Sequence, residues 1–374
     1  MEIIISITLC LTTLLALLLL KSILKRTTTT KLNLPPSPWR LPVIGNLHQL
    51  SLNTHRSLRS LSLQYGPLML LHFGRTPVLI VSSADVAHDI LKTYDVICAN
   101  RPKTKVIDKI LKGGRDVAFA PYGEYWRQIK SISIQNLLSN KMVRSYEKIR
   151  EEEIKLMIEK MEKASCSSPP SPDMFLAGTA TTLSFLAWAM TELMRHPKAM
   201  KKLQEEIRSS SPQDLFVTEK EAEKMNYLQA VIKEALRLRP PAPLLVPRVL
   251  SEDVTLKGYN IPAGTQVIIN AWAIQRDTTT WGIDAEEFRP ERHLDSNLDF
   301  QGQDFKFIPF GSGKRICPGI GFTSALIGVT LANILKRFNW RMDVEPQRVQ
   351  HDLTEATGLV IFRKFPLIAT PSPA

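Results

Sequence analysis

Asp173 to Arg195 carries almost nothing but apolar and small side chains until His196-Pro197 stops it. A helix apolar on every side has no face to offer water, so it must lie at the centre of a domain with other helices around it. The neighbouring patterns supply that surrounding layer. Thr54 to Tyr65 reads as a helix, and Leu68 to Phe73 with Val78 to Val81 as a hairpin around Gly74-Arg75-Thr76. Ser83 is placed to cap a helix over Ala84 to Tyr94, and the pattern from Tyr125 to Lys163 is helical and charged toward its end. Helices continue through Leu238, short strands such as Val267 to Asn270 follow, and a final helix is expected over Phe322 to Phe338. Val360 to Phe362 is expected as a closing strand. Between two helical blocks lies Ala164-Ser165-Cys166-Ser167-Ser168-Pro169-Pro170-Ser171-Pro172, a low-complexity break. There is no internal repeat, and the expected class is mainly α with small β-sheets.

The N-terminus makes a separate unit. Ile3 to Leu20 reads IIISITLCLTTLLALLLL, eighteen residues without a charge. As a helix this run spans about 27 Å, close to the hydrocarbon thickness of a thin bilayer. Lys21, Lys25, Arg26 and Lys31 follow it and only Glu2 precedes it. The positive-inside bias then leaves a lumenal N-terminus and a cytoplasmic domain. A cleaved signal peptide is the rival reading, but the run lacks a basic n-region and a small-residue cleavage site. The expected organisation is an anchor at 1–20, a basic and Pro-rich linker at 21–40 ending in Leu34-Pro35-Pro36-Ser37-Pro38-Trp39, and one domain at 41–374.

Charge and cysteine usage exclude several classes. Lys and Arg number 48 against 36 Asp and Glu, a net charge of +12. That balance suits anionic lipid or an acidic protein surface. Nucleic acid is not an expected partner, because neither a recognition motif nor a concentrated basic helix is present. The four cysteines, Cys10, Cys98, Cys166 and Cys317, include no CxxC pair. They make no disulfide framework and favour a reducing compartment.

One of them sits in a chemically loaded loop, Phe310-Gly311-Ser312-Gly313-Lys314-Arg315-Ile316-Cys317-Pro318-Gly319. Cys317 follows a Gly-rich turn and precedes a helix, whose unpaired N–H groups and positive dipole end would point at the sulfur. Those features lower a thiol's pKa and stabilise the thiolate, the form that binds metals. Arg315 adds a cation, and Gly313 and Gly319 allow backbone to approach a flat, bulky ligand. For an isolated cysteine the plain alternative is a buried side chain at a helix start.

The full spacing of Phe310, Gly313, Arg315, Cys317 and Gly319 matches FxxGxRxCxG and resembles the haem-binding loop of the cytochromes P-450. Other pieces follow in that family's order. Glu234-Ala235-Leu236-Arg237 resembles its ExxR, and Phe288-Arg289-Pro290-Glu291-Arg292 lies where Arg292 would complete a Glu234–Arg237–Arg292 network. In the family this network braces the haem loop and is structural rather than catalytic; His293 stands where Phe is usual. Trp126 and Lys130 resemble the WxxxR/K pair of a long helix, and Arg248 the Pro-Arg before an inner strand. With Arg315 these imply cations facing haem propionates. The Pro-rich hinge resembles that of endoplasmic-reticulum members, and the combination resembles plant microsomal enzymes, most closely the large family numbered 71.

The resemblance implies a haem b monooxygenase with Cys317 as the thiolate ligand to iron and Phe310, Gly311, Gly313 and Gly319 shaping its loop. Electrons would come from NADPH through a flavoprotein reductase docking where Lys314, Arg315, Lys336 and Arg337 offer positive charge. The substrate would be small and apolar, with Leu244, Leu245, Val246, Gly358 and Leu359 lining its cavity. Ala177-Gly178-Thr179-Ala180-Thr181-Thr182 resembles the oxygen-side motif of the central helix. Gly178 would loosen the helix there, and Thr181 would help deliver protons.

Two departures qualify this. Ala180 replaces the usual acid before Thr181, which removes a titratable group from the proton relay. Only 51 residues separate Trp126 from Ala177, whereas Ala177 to Cys317 keeps an intact spacing of 140. Family members carry on the order of a hundred more residues in the first interval. The missing helices are those that roof the substrate cavity, and a deletion near 165–173 is the expected junction. The competing expectation is therefore a truncated, catalytically impaired variant of such an enzyme.

Overall fold

The computed structural model describes residues 32–110, 115–164, 180–210, 214–341 and 353–374, together with Ser6, Leu9, Thr12, Thr13, Ala16 and Leu17. Most of the expected anchor and all of 165–179, including Gly178, lie outside the described residues. Among the described residues no helix is long and apolar enough to cross a membrane.

Thirteen α-helices are used below: α1 Thr54–Tyr65, α2 Ala84–His88, α3 Lys105–Ile110, α4 Glu124–Ser133, α5 Asn140–Ser145, α6 Glu147–Ala164, α7 Ala180–Arg195, α8 Pro197–Ser210, α9 Glu219–Lys224, α10 Asn226–Leu238, α11 Ala271–Ile274, α12 Thr278–Trp281 and α13 Ile320–Arg337. The strands are β1 Leu68–Phe73, β2 Thr76–Val81, β3 Arg248–Val249, β4 Val254–Leu256, β5 Tyr259–Ile261, β6 Gln266–Ile269, β7 Phe338–Arg341 and β8 Thr370–Pro373. The mainly α class with small sheets holds.

The hairpin forms with Phe73 opposite Thr76 and Leu68 opposite Val81, and Gly74 takes the φ of +62° that the tight turn needs. β2 runs parallel to β6, and β3 adds antiparallel on the far side. Alternate side chains feed two cores, Met69, Leu71, Val78 and Ile80 on one face, Leu68, Leu79, Val81, Val267 and Ile269 on the other. A sheet covered on both faces reads as continuous apolar runs, as residues 68–71, 78–81 and 267–269 do.

α7 is the central helix. Trp188 is buried on it, and Phe185, Ala189 and Leu193 lie in a core shared with Leu228 and Val231 of α10 and Ile327 and Leu331 of α13. It is not enclosed on every side, however: Leu183 is 59 % exposed. The helix expected unbroken from Tyr125 to Lys163 is divided. Ile134–Leu138 forms a π turn, and Ser139 turns extended with its hydroxyl accepting the Met142 N–H at 3.3 Å. Hydrophobic periodicity does not report such a cap, so the break was not visible in the pattern.

Two further expectations change. Val360 to Phe362 is not a strand; the Ile361 carbonyl instead accepts from Ser184 Oγ at 2.7 Å and Trp188 Nε1 at 3.1 Å, tying the chain to α7. The closing strand is β8, paired with β7. The Pro-rich hinge is also not a free spacer. Pro35 and Pro38 are buried, the Pro36 carbonyl accepts Leu70 N–H at 2.9 Å, and Asn33 accepts Asn260 N–H at 2.7 Å. Packing against the domain therefore starts near Asn33 rather than Leu41.

Candidate functional site

The cysteine loop is closed by its own backbone. Cys317 N donates to Phe310 O at 3.0 Å and Ile316 N to Gly313 O at 3.0 Å. Gly319 caps α13, its N–H bonds the sulfur, and a Cβ added there would sit 3.9 Å from Cys317 Sγ. The sulfur is thus at a helix start, as expected. Its acidity is not: burial pushes the thiol up, and the Gly319 N–H and the Lys130 charge offset this only in part. Desolvation of a small anion outweighs one helix end and one nearby cation.

Cys317 opens onto a cavity of about 320 Å³, lined by Phe310, Gly311, Ile316, Pro318 and Thr323 from the loop and α13, by Leu236, Pro241, Leu245, Val246 and Ile269, and by Thr181 from the first turn of α7. Trp126, Lys130, Arg248 and Arg315 all line it, as the sequence indicated, and so does Arg101, which the sequence reading did not single out. No motif separated Arg101 from the other cations of the chain.

These four cations are held by carbonyls. Arg101 Nη1 donates to Val246 O at 2.6 Å and Pro247 O at 2.8 Å; Arg315 Nε donates to Ala99 O at 2.8 Å; Arg248 Nη2 donates to Ser312 O at 2.9 Å; Lys130 donates to Lys314 O. Trp126 anchors the group: its Nε1 donates to Val117 O at 2.9 Å, and Arg315 and Lys130 lie over its ring at 4.1 and 5.0 Å. Burial lowers all four, and neighbouring cations lower three of them further: Arg101 falls to about 9, Arg315 to about 10, and Lys130 also falls, while Arg248 is lowered by burial against the pull of Asp95. Negative charge beside them comes from Asp95, 3.2 Å from Arg248, and from Asp116, which acts on Arg101 and Arg315. Buried cations that depress one another are short of anions. An apolar slot with surplus cations at its wall and a sulfur in its lining fits a flat apolar ligand bearing two carboxylates, as haem is.

Several expected members are elsewhere. Leu245 lines the cavity at φ +51°, but Leu244 before it packs against the β-sheet core of Leu58 and Met69. Gly358 and Leu359 lie in a surface bend, Leu359 49 % exposed. Gly313 does not face the cavity. At φ +71°, its added Cβ would stand 2.3 Å from Leu91 O, so the glycine serves backbone packing between the loop and the π turn Asp89–Thr93. Arg315, being buried, offers no charge to a partner surface. Lys314 is exposed, while Lys336 and Arg337 close the far end of α13, about 27 Å along the helix, and Arg337 pairs with Glu162. They do not form one patch.

The brace forms as expected. Glu234 and Arg237 are fully buried, with Arg237 Nε 2.8 Å from Oε2 and Nη2 2.9 Å from Oε1. Arg292 Nε and Arg289 N each reach Oε1 at 2.9 Å. His293 Nε2 reaches Oε2 at 2.9 Å, a partner the sequence reading treated only as a departure. Glu234 is consequently held at about 2, although burial opposes this. Gln275 links brace to loop: its Nε2 donates to Arg237 O at 2.9 Å and its Oε1 accepts Ile308 N–H at 3.1 Å.

Comparison with known proteins agrees with this geometry. The family described as Cytochrome P450 matches in two stretches, residues 35–172 and 170–364, which meet in the Ser-Pro segment. Cytochrome P450 71A19 of Arabidopsis thaliana is 70 % identical over 491 residues, covering 100 % of each chain. Cytochrome P450 71A20 of the same plant is 68 % identical over 98 % of this chain and 99 % of the relative. Indoleacetaldoxime dehydratase, also from Arabidopsis thaliana, is 49 % identical over 100 % of this chain and 99 % of the relative. The chain has 374 residues against 491 aligned positions, so the first relative carries residues with no counterpart here. The chain belongs to the cytochrome P450 family, monooxygenases that use haem b and receive electrons from NADPH through a reductase.

Proposed function

We propose that this chain binds haem through Cys317 and inserts one oxygen atom into a small apolar substrate, at a site whose distal cover is incomplete. The observation that carries the reading is the convergence of the Cys317 sulfur, three buried arginines and the half-buried Lys130 on one apolar cavity. Arg101, Lys130, Arg248 and Arg315 would hold the propionates, with Trp126 fixing two of them; Phe310, Gly311 and Gly319 shape the floor around the sulfur. Bound haem supplies the activation of dioxygen. Thr181 Oγ1, which lines the same cavity, would hold and pass a proton, with no carboxylate at Ala180 to feed it. A relative named for an indole-bearing substrate belongs to the same size class.

The incomplete cover is supported by the two matched stretches meeting at 170–172, by the unmatched residues of the relative, and by the exposure of Leu183 on the central helix. We read 165–173 as a deletion junction that removes the roof helices. Oxygen chemistry needs a dry pocket, and misplacing a substrate by about 1 Å can cost roughly a hundredfold. The test is reconstitution with reductase and NADPH, following product and peroxide together over a panel of small apolar compounds. The expected result is mostly peroxide; tight coupling of NADPH use to product would contradict it. The N-terminal run is proposed to anchor the domain on the cytoplasmic face of the endoplasmic reticulum in contact with lipid. Protease added outside microsomes should then digest the domain, and full protection would reverse the orientation.

A further inference from the structure

His293 ends the short 3₁₀ turn Pro290–His293, and its side chain is fully buried between the brace and the start of the cysteine loop. On one side its Nε2 lies 2.9 Å from Glu234 Oε2. On the other, its ring packs against Phe307 and Trp281, with centroids 6.0 Å away in each case. Phe307 is fully buried and immediately precedes Ile308, the residue held by Gln275. The carboxylate is unevenly served. Oε1 accepts from Arg237, Arg292 and the Arg289 backbone, whereas Oε2 accepts from Arg237 and His293.

We infer that His293 is a positioning residue for the cysteine loop: as a neutral imidazole donating from Nε2 it completes the Glu234 brace and ties it to Phe307, and a proton added at Nδ1 destabilises that arrangement by leaving a buried donor unpaired. The tautomer follows from the partner. Glu234 is ionised and can only accept, so Nε2 carries the hydrogen and Nδ1 is an acceptor. Nδ1 is buried without a hydrogen-bond partner among the described residues, so a proton added there becomes an unsatisfied buried donor.

The charges around the ring come from three elements. Glu234 favours the imidazolium, while Arg237 and Lys233 of the same helix oppose it. Arg292 adds positive charge from the ring's own turn. Asp284, which could compensate, is already paired with Arg292 and Arg289. Trp281 and Phe307 bring no charge. Burial is the largest influence and holds the ring below the ordinary histidine value. A depressed histidine contributes stability that is complete above its unfolded value of about 6.5 and is lost as pH falls through the lower folded value.

Two variants separate the parts. His293→Phe keeps the aromatic packing and removes the donor; His293→Gln keeps a donor and removes the ring; neither titrates. The thermal midpoint of the full chain and the fraction keeping its thiolate carbon monoxide band are followed from about pH 7.5 to about pH 5, across the histidine range. At the upper pH the wild type should melt roughly 2–4 °C above His293→Phe, with His293→Gln between. On acidification the wild type should fall toward both variants, whose profiles stay flatter, and the gap should close. A gap that is constant with pH, or no gap, overturns the inference, because a merely structural ring would lower the midpoint equally at every pH. Should His293→Phe not fold, the slope of His293→Gln against wild type decides alone. The inference rests on the loop being the haem-binding element, yet the melting comparison reads it separately. A wild type without a thiolate band would defeat the haem reading and leave the melting result standing.

Discussion

Glu234 sits at the centre of a set of donors that includes two guanidiniums, an imidazole and a backbone N–H, all in the protein interior. Removing a charge from such a set leaves the others uncompensated. Glu234→Gln is expected to cost about 3–5 kcal/mol, the range for breaking a buried ion pair by deleting one partner. The readout is soluble yield and haem content, and normal haem content with lost turnover would assign Glu234 a catalytic role instead. The same residue sets an acid limit. Its pKa is depressed, so its contribution is complete above the ordinary value of 4.5 and is lost only as pH falls through about 2. At this scale the sequence was legible wherever a motif fixed a spacing: Cys317, Trp126, Lys130, Arg248, Arg315 and the Glu234–Arg237–Arg292 set all lie where expected. It was silent on Arg101, which reaches the cavity through loop geometry that no local pattern encodes. It also misread Gly313, whose freedom is used against Leu91 rather than against a ligand.

Among the elements, α7 and α13 bring the two faces of the site together, Thr181 from the first turn of one and Cys317 just before the other. Both were legible from their apolar content, because a helix that is buried almost all round cannot hide its composition. The breaks at Ser139 and Tyr146 were not, since capping competes with periodicity over only a residue or two. On the proposed reading, the incomplete cover marked by the exposed Leu183 on α7 limits catalysis more than the missing acid does. Ala180→Asp would then restore a titratable group to a relay whose pocket stays open to water. It should therefore change the ratio of product to peroxide by less than about twofold, against the roughly hundred- to ten-thousandfold that a working general acid contributes in a closed site. A large rise in coupling from that single change would show that the proton relay, not the cover, limits turnover.

For the whole molecule, the sheet, the brace and the cysteine loop form one proximal half whose parts support one another, through Asn270 to His55, Arg237 to Gln275 and Gln275 to Ile308. The fold class could be read in advance because each of these parts carries its own composition signal. The reach of the hinge could not, since the burial of Pro35 and Pro38 depends on a strand and a loop far away in sequence. The two family-matched stretches meet at 170–172, where we place the residues this chain lacks relative to its relative. Haem is proposed to bind in the proximal half, with Cys317, in the lining of a cation-walled apolar cavity, holding the iron as a thiolate. The direct measurement is the carbon monoxide spectrum of the reduced protein, recorded for the wild type and for Cys317→Ser. The band diagnostic of thiolate ligation is expected in the wild type and its loss in the variant; a thiolate band that survives in Cys317→Ser would rule Cys317 out as the ligand.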